Sequence, residues 1–372
     1  MSPRRTRILR PTALLLLLLL LTIAILIIPL YYHRHYDDRD KSFKAPWSQA
    51  KDQQRIFRPQ HMVKAPMVQP LESSPPEQAN AIPDRAHFVY MMSQPEAELG
   101  LEFSQALCVF AARYYWRPRQ MFLHTNAVDD AIARARNGQS GKWSRLVLGL
   151  PEMTVHRVEL PIKADNGVEI RKMEHKSDFV RVKAVRDYGG VYLDFDAHLL
   201  RDIRPLLRAG FNAVGGRQAN ELLVSGSFMA KKSATLVNWW YEEMHRVFDG
   251  RWTTHSNELM TRIGTSLVPH AGEMLILDRA ALAPGGWSKP DCRTLFQSHD
   301  YSHPSWLQDY SDTYVLHAFS PRRFHYRIKG FSDITPRYVL SNRSNFALAV
   351  FPVAKYMLDQ GLIDVDDSHL GI

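Results

Sequence analysis

The chain has 372 residues, 45% of them apolar, and a formal net charge of +9. Its length fits a tail plus one large domain, or two small domains, with enough apolar residues for a sizeable core. Part of the charge is local, in Arg4, Arg5, Arg7 and Arg10. The rest is mildly basic with no basic stripe interleaved with aromatics, which sets nucleic acid aside as a partner and leaves anionic substrates favoured.

Residues 12–30, TALLLLLLLLTIAILIIPL, carry no charge and are long enough to cross a bilayer as a helix. Arginines crowd the N-terminal side, and the far side, YYHRHYDDRD, is mixed in sign. Residues 1–11 are therefore expected to form a cytosolic tail, with the rest of the chain across the membrane. A cleaved signal peptide would show a shorter apolar core and a small-residue site, which Pro29-Leu30-Tyr31-Tyr32 does not offer. Residues 31–81, rich in charge, Gln and Pro, read as a flexible lumenal stem. Asn342-Arg343-Ser344 is a glycosylation sequon. Cys108 and Cys292 could form one disulfide or stay as two buried thiols.

The folded part begins at Ile82-Pro83, with a main domain over 82–330 and a C-terminal extension over 331–372 packed on it or following it. Apolar runs at 87–91, 120–125, 154–158, 191–193, 213–215, 227–230 and 313–319 read as strands, the last carrying His317. Helical spacing covers 99–115, 175–190, 233–248 and a shorter run at 346–358. Ser177 suits the N-cap of the second helix, and Gly189-Gly190 ends it. Leu236, Trp239, Trp240, Met244 and Val247 of the third read as core. Alternating strands and helices predict an α/β layered domain on a largely parallel sheet.

The stretch GGVYLDFDAH, residues 189–198, ends an apolar run in Asp194 and Asp196. Alternate side chains of an extended strand share one face, so both carboxylates converge on one point. That point lies beyond the strand's C-terminal edge, where open α/β sheets bind ligands. Two carboxylates so close tolerate each other in water or around a cation, and hard oxygen ligands favour Mn2+ or Mg2+, ions that bridge phosphates. The plain reading is a solvated Asp pair capping a turn. The preceding helix adds Asp178 and Arg181, three apart on one face: a surface ion pair, or a shelf for sugar hydroxyls. Phe195 is expected to point away from the pair, into the core. Aspartate-nucleophile phosphatases also place Asp-x-Asp after a strand, but near the start of the domain.

The segment SDFVRVKAVRDYGGVYLDFDAHLLRDIRPL, 177–206, resembles the core signature of the DXD sugar-binding glycosyltransferases of the family 32-like type, the group of the fungal initiating α-1,6-mannosyltransferases. The matching positions are Ser177-Asp178, Arg181, Tyr188-Gly189-Gly190, Tyr192, Asp194 and Asp196. Softer matches are IPDRAHFVY (82–90), LLVSGSFMAKKSA (222–234) and HAFSPRRF (317–324), the last lacking the Trp that often follows the family's His. The resemblance implies a GT-A, Rossmann-like nucleotide-sugar-binding domain and metal-dependent, retaining hexosyl transfer. The donor it suggests first is GDP-mannose, with a UDP-sugar for galactosyl or N-acetylglucosaminyl transfer as the alternative. An inactive membrane-anchored sugar-binding homologue is a further alternative. The acceptor would be a glycan or glycolipid, and the place a Golgi membrane, anchored through residues 12–30. By position, the resemblance makes Asp194 and Asp196 catalytic, and gives Asp194, Asp196 and His317 to an Mn2+ (or Mg2+) ion. Asp196 would ligate it directly, and Asp194 would contact the ribose or reach the metal through water. Phe88, Tyr90, Asp178, Arg181, Gly190 and Asp194 would bind the donor. From the residues alone, His317 reads as a structural strand histidine.

Overall fold

The computed structural model describes residues 81–300 and 304–372. The expected tail, the apolar run 12–30 and the stem, save its last residue, lie outside the described residues. Among the described residues no helix is long and apolar enough to cross a membrane.

In chain order the strands are β1 (Arg85–Tyr90), β2 (Gln120–Thr125), β3 (Met153–Arg157), β4 (Gly190–Leu193), β5 (Ala197–Leu199), β6 (Ala213–Gly216), β7 (Ser227–Ala230), β8 (Met274–Leu277) and β9 (Val315–His317). Seven form one sheet in the order β3-β2-β1-β4-β7-β6-β8, while β5 and β9 pair as a separate antiparallel ribbon. Within the large sheet β7 alone runs against its neighbours, and β1 to β4 and β6 with β8 pair in parallel. The fold is therefore mixed α/β with a mainly parallel sheet.

The longer helices are α1 (Phe103–Tyr115), α2 (Asp129–Arg136), α3 (Lys142–Leu148), α4 (Met173–Tyr188), α5 (Thr235–Val247), α6 (Leu259–Leu267), α7 (Lys289–Phe296) and α8 (Asn345–Asp359). They cover both sheet faces, as the near-continuous apolar runs of buried parallel strands require. One core joins α1 and α8 to Ala86, Phe88, Val191 and Leu193, and the other joins α4, α5 and α6 to Val89, Tyr192 and Phe228. Successive strand residues thus alternate between the two cores.

Two local expectations change, and two others can be compared directly with the structure. Ser177 is not an N-cap, because α4 begins more than a turn earlier, after Lys172. In α5, Leu236, Trp240 and Met244 form the buried i, i+4 stripe, while Trp239 lies on its flank and is 48% exposed. The helical run expected at 346–358 is present as α8, which buries Phe346, Val350, Val353, Ala354 and Met357 in the first core. Cys108 and Cys292 are two buried free thiols.

The turn from α4 into β4 depends on glycine. Gly190 has φ +119°, and a Cβ there would stand 2.5 Å from the Arg85 carbonyl oxygen on the neighbouring strand. Only glycine adopts that backbone and allows that approach without strain.

Candidate active site

β4 ends at Leu193, which pairs with Ser227 of β7. Asp194, Phe195 and Asp196 then turn over the C-terminal edge of the sheet into β5, and the turn closes through Ala197 N–H donating to the Asp194 carbonyl at 2.9 Å. β5 pairs with β9 in a register that sets Ala197 opposite His317. Ala318 N–H donates to the Asp196 carbonyl at 2.8 Å and locks that register. The result is a side-chain cluster. His317 Nε2 lies 3.0 Å from Asp196 Oδ1 and 3.9 Å from Asp194 Oδ2. One donor atom from each of the three lies within 4.8 Å of the others. Nothing bulky could stand beside them: a Cβ on Gly226 would fall 2.5 Å from both Asp194 Oδ2 and His317 Cε1.

A second group braces the first. Arg181 reaches from α4, buried, with Nη2 3.2 Å from Asp178 Oδ1 and 3.1 Å from Asp194 Oδ1. Its Nη1 donates to the Ser225 carbonyl at 3.1 Å, and its guanidinium lies 4.6 Å from the Tyr192 ring centre. Tyr192 Oη donates to Asp194. On the far side, His255 Nε2 bonds Asp178 Oδ2 at 2.9 Å. His255 sits on a single π-helical turn, Thr254–Glu258, a deviation often found at functional sites. A buried relay therefore runs His255–Asp178–Arg181–Asp194. Asp178 and Arg181 are not the surface pair that their spacing alone allows.

The electrostatics divide the two carboxylates. Burial pushes the Asp194 carboxyl above its ordinary range, against the pull of Arg181. Burial pushes Asp196 the same way, but His317 beside it wins and holds that carboxyl low. The same contact raises His317 against the burial that would lower it. Arg181 and Tyr192 engage Asp194, whereas Asp196 faces His317. Two half-buried carboxylates at the cavity wall and one buried imidazole form a donor set that could hold a divalent cation.

These groups line a cavity of about 920 Å³ that also takes in Tyr90, Phe195, Asp178 and Arg181. Tyr90 stands at the end of β1, with its hydroxyl bonded to the Gly100 carbonyl at 2.9 Å. Phe195 does both things at once: it stacks on Phe88 at 5.4 Å and still lines the cavity. Two positions expected in the donor site lie elsewhere. Phe88 is fully buried one pleat below Tyr90, under Phe195, and does not line the cavity. Gly190 stands at the opposite end of β4 from Asp194, about 13 Å away along a strand at ~3.3 Å per residue. Its role is the close approach to Arg85. His255, Ser225 and Gly226 escape the sequence reading. The run VSGSF carries a trace of the last two, in small residues crowded before a strand, but a π turn has no periodic signature.

A cluster that could hold a cation, beside a buried arginine at the edge of a mainly parallel sheet, suits an anionic, hydroxyl-rich ligand. Residues 129–215 match the family model described as a glycosyltransferase sugar-binding region containing a DXD motif. That span runs through α4, β4 and the Asp-x-Asp turn. The chain is a glycosyltransferase. It is similar to glucan organizing enzyme 1 of Cryptococcus neoformans var. grubii, 21% identical over 298 residues, which cover 77% of this chain and 75% of the relative. Among solved structures, the glycosyltransferase GlyE of Streptococcus pneumoniae TIGR4 is 10% identical over 77% of this chain and 66% of its own, with a TM-score of 0.40. The PaToxG glycosyltransferase is 11% identical over 51% of this chain and 70% of its own, with a TM-score of 0.35.

Proposed function

We propose that this chain is a metal-dependent, retaining hexosyltransferase with a GT-A domain, using GDP-mannose as its first donor and a glycan or glycolipid as acceptor. The observation that carries the reading is the convergence of Asp194, Asp196 and His317 beside the Arg181 relay in one cavity. Asp196 and His317 would hold the cation, Mn2+ or Mg2+, with Asp194 shared between that cation and Arg181. When bound, the cation supplies positive charge against the departing diphosphate. Asp178, held by His255 and Arg181, keeps a carboxylate fixed for sugar hydroxyls. Tyr90 and Phe195 offer aromatic surface for the base. Retention fits attack from the face that the leaving phosphate vacates. A Golgi location as a single-pass type II protein rests on the uncharged run 12–30 and the arginines before it.

The test is nucleotide release from a panel of nucleotide sugars by the full chain with Mn2+, beside Asp196→Ala. Release from GDP-mannose that Asp196→Ala and EDTA both abolish supports the reading. Release from a UDP-sugar alone replaces the donor. No release with any donor and any divalent cation overturns it.

A further inference from the structure

We propose that Arg323 is a catalytic residue of the proposed transfer, pairing with the leaving diphosphate, and that Trp252 is the positioning residue that aims it. The inference rests on the proposed function and deepens it.

Two arginines line the cavity, Arg181 and Arg323. Arg181 is already balanced by Asp178 and Asp194. Arg323 has no carboxylate within ion-pair distance among the described residues. Its neighbour Arg322 shows the contrast, since its guanidinium is spent on Asp333. A guanidinium stays charged at any working pH and binds phosphate through paired N–H donors. Arg323 is therefore the cation in this cavity with charge to spend.

Its placement agrees. Arg323 sits on the short 3-10 turn Pro321–Phe324 that follows β9, and Tyr326 N–H closes that turn on the Pro321 carbonyl at 3.0 Å. The strand that delivers His317 to Asp196 thus also delivers Arg323 to the cavity.

Trp252 explains why an exposed arginine keeps its aim. The Arg323 guanidinium lies 5.0 Å from the Trp252 ring centre, in cation–π range. The indole is itself anchored. It tilts on His175 at 5.5 Å, and His175 packs on His255 at 4.9 Å, the residue that holds Asp178. One continuous contact chain joins the sugar side of the cavity to the arginine on its rim.

In the step, the bond from sugar C1 to the β-phosphate oxygen breaks, and its electron pair stays on that oxygen. The acceptor oxygen bonds to C1 and passes its proton to the departing diphosphate. Arg323 meets the charge that develops on the leaving oxygen, where a preorganised donor acts most strongly.

The probes are GDP, GMP, UDP and UMP with Mn2+, titrated calorimetrically into the full chain and its variants. Arg323→Met is expected to weaken the bound diphosphate by ~10-fold or more and to leave the monophosphate of the same base within twofold. Arg323→Lys should recover part of the loss. Trp252→Ala should shift the diphosphate alone, and Trp252→Phe should restore it. In turnover, Arg323→Met should lower kcat more than it raises the donor KM. Equal changes for diphosphate and monophosphate, or no change for either, overturn the inference while leaving the proposed function standing. An unaltered chain that binds no diphosphate with Mn2+ takes both down.

Discussion

Gly226→Ala is a one-carbon test of the site. The glycine precedes β7 and has a backbone that alanine can adopt, since its φ lies outside the left-handed region. Its missing Cβ would stand 2.5 Å from Asp194 Oδ2 and 2.5 Å from His317 Cε1. Ordinary contact needs ~3.5 Å, so each group must retreat by roughly 1 Å. Both are side-chain ends, and the backbone is left alone. The fold should lose no more than about 1–2 kcal/mol, the usual scale for one excess methyl in a packed place. The chemistry should lose far more. A misplacement of ~1 Å can cost ~100-fold in rate, and here two of three proposed cation ligands move at once. The assay is Mn2+-dependent nucleotide release, with urea denaturation on the same samples. A well-folded Gly226→Ala chain with unaltered release, at unaltered Mn2+ concentration for half-activation, would refute the assignment of Asp194 and His317 to a shared site.

Arg181→Met removes the one guanidinium that balances Asp178 and Asp194, and should cost about 3–5 kcal/mol as the uncompensated buried charges are exposed to each other. An unfolding free energy from urea titration lowered by less than about 1 kcal/mol would show that the relay is not held electrostatically. Stability should also fall with acid. Burial holds His87 at about 4 rather than 6.5, with Arg85 and His156 adding to the effect. The unfolded chain therefore binds a proton near pH 6.5 that the folded chain refuses until about 4. Stability is full above pH 6.5, declines through that window, and levels off below it. The His87 contribution is roughly 3 kcal/mol, and denaturation curves of His87→Phe should show a correspondingly shallower slope. Gly190→Ala forces a side chain into a φ of +119° and against the Arg85 carbonyl. It should lower Tm by several degrees, a cost of about 2 kcal/mol, with the nucleotide affinity of the folded fraction intact.

The parts of the site that could be read from the sequence are local. Asp178, Arg181, Asp194 and Asp196 share one helix face and one strand end, and period alone brings them near each other. Six of the seven strands of the large sheet announce themselves as short apolar runs, whereas β8, half-buried at the edge of the sheet, goes unread. What escaped is long-range or irregular. β5 is three residues long, below any periodic signal, and although the run at 313–319 does hold β9, nothing in it shows that β9 pairs with β5. His255 meets Asp178 only because a π turn interrupts the regular spacing between α5 and α6. Phe88 and Tyr90 share a strand face, as parity requires, but parity carries no depth. Nothing in the sequence says that Phe195 folds back over Phe88 and leaves Tyr90 at the rim. Gly190 was drawn toward the donor by its neighbours in sequence, while its backbone serves the other end of the strand.

The strand ribbon that brings His317 to Asp196 has a bearing on the order of folding. Every strand of the large sheet lies between Arg85 and Leu277, whereas β9 comes later and pairs outside that sheet. Chains fold from the N-terminus as they are made, and closing a long loop adds an entropic cost that local elements do not pay. The sheet and both carboxylates can therefore be in place before the imidazole arrives. A chain interrupted after β8 would hold every strand of the large sheet but lack both the third residue of the cluster and the α8 side of the first core. Competence for chemistry is thus coupled to completion of the polypeptide, so that an unfinished molecule is a silent one.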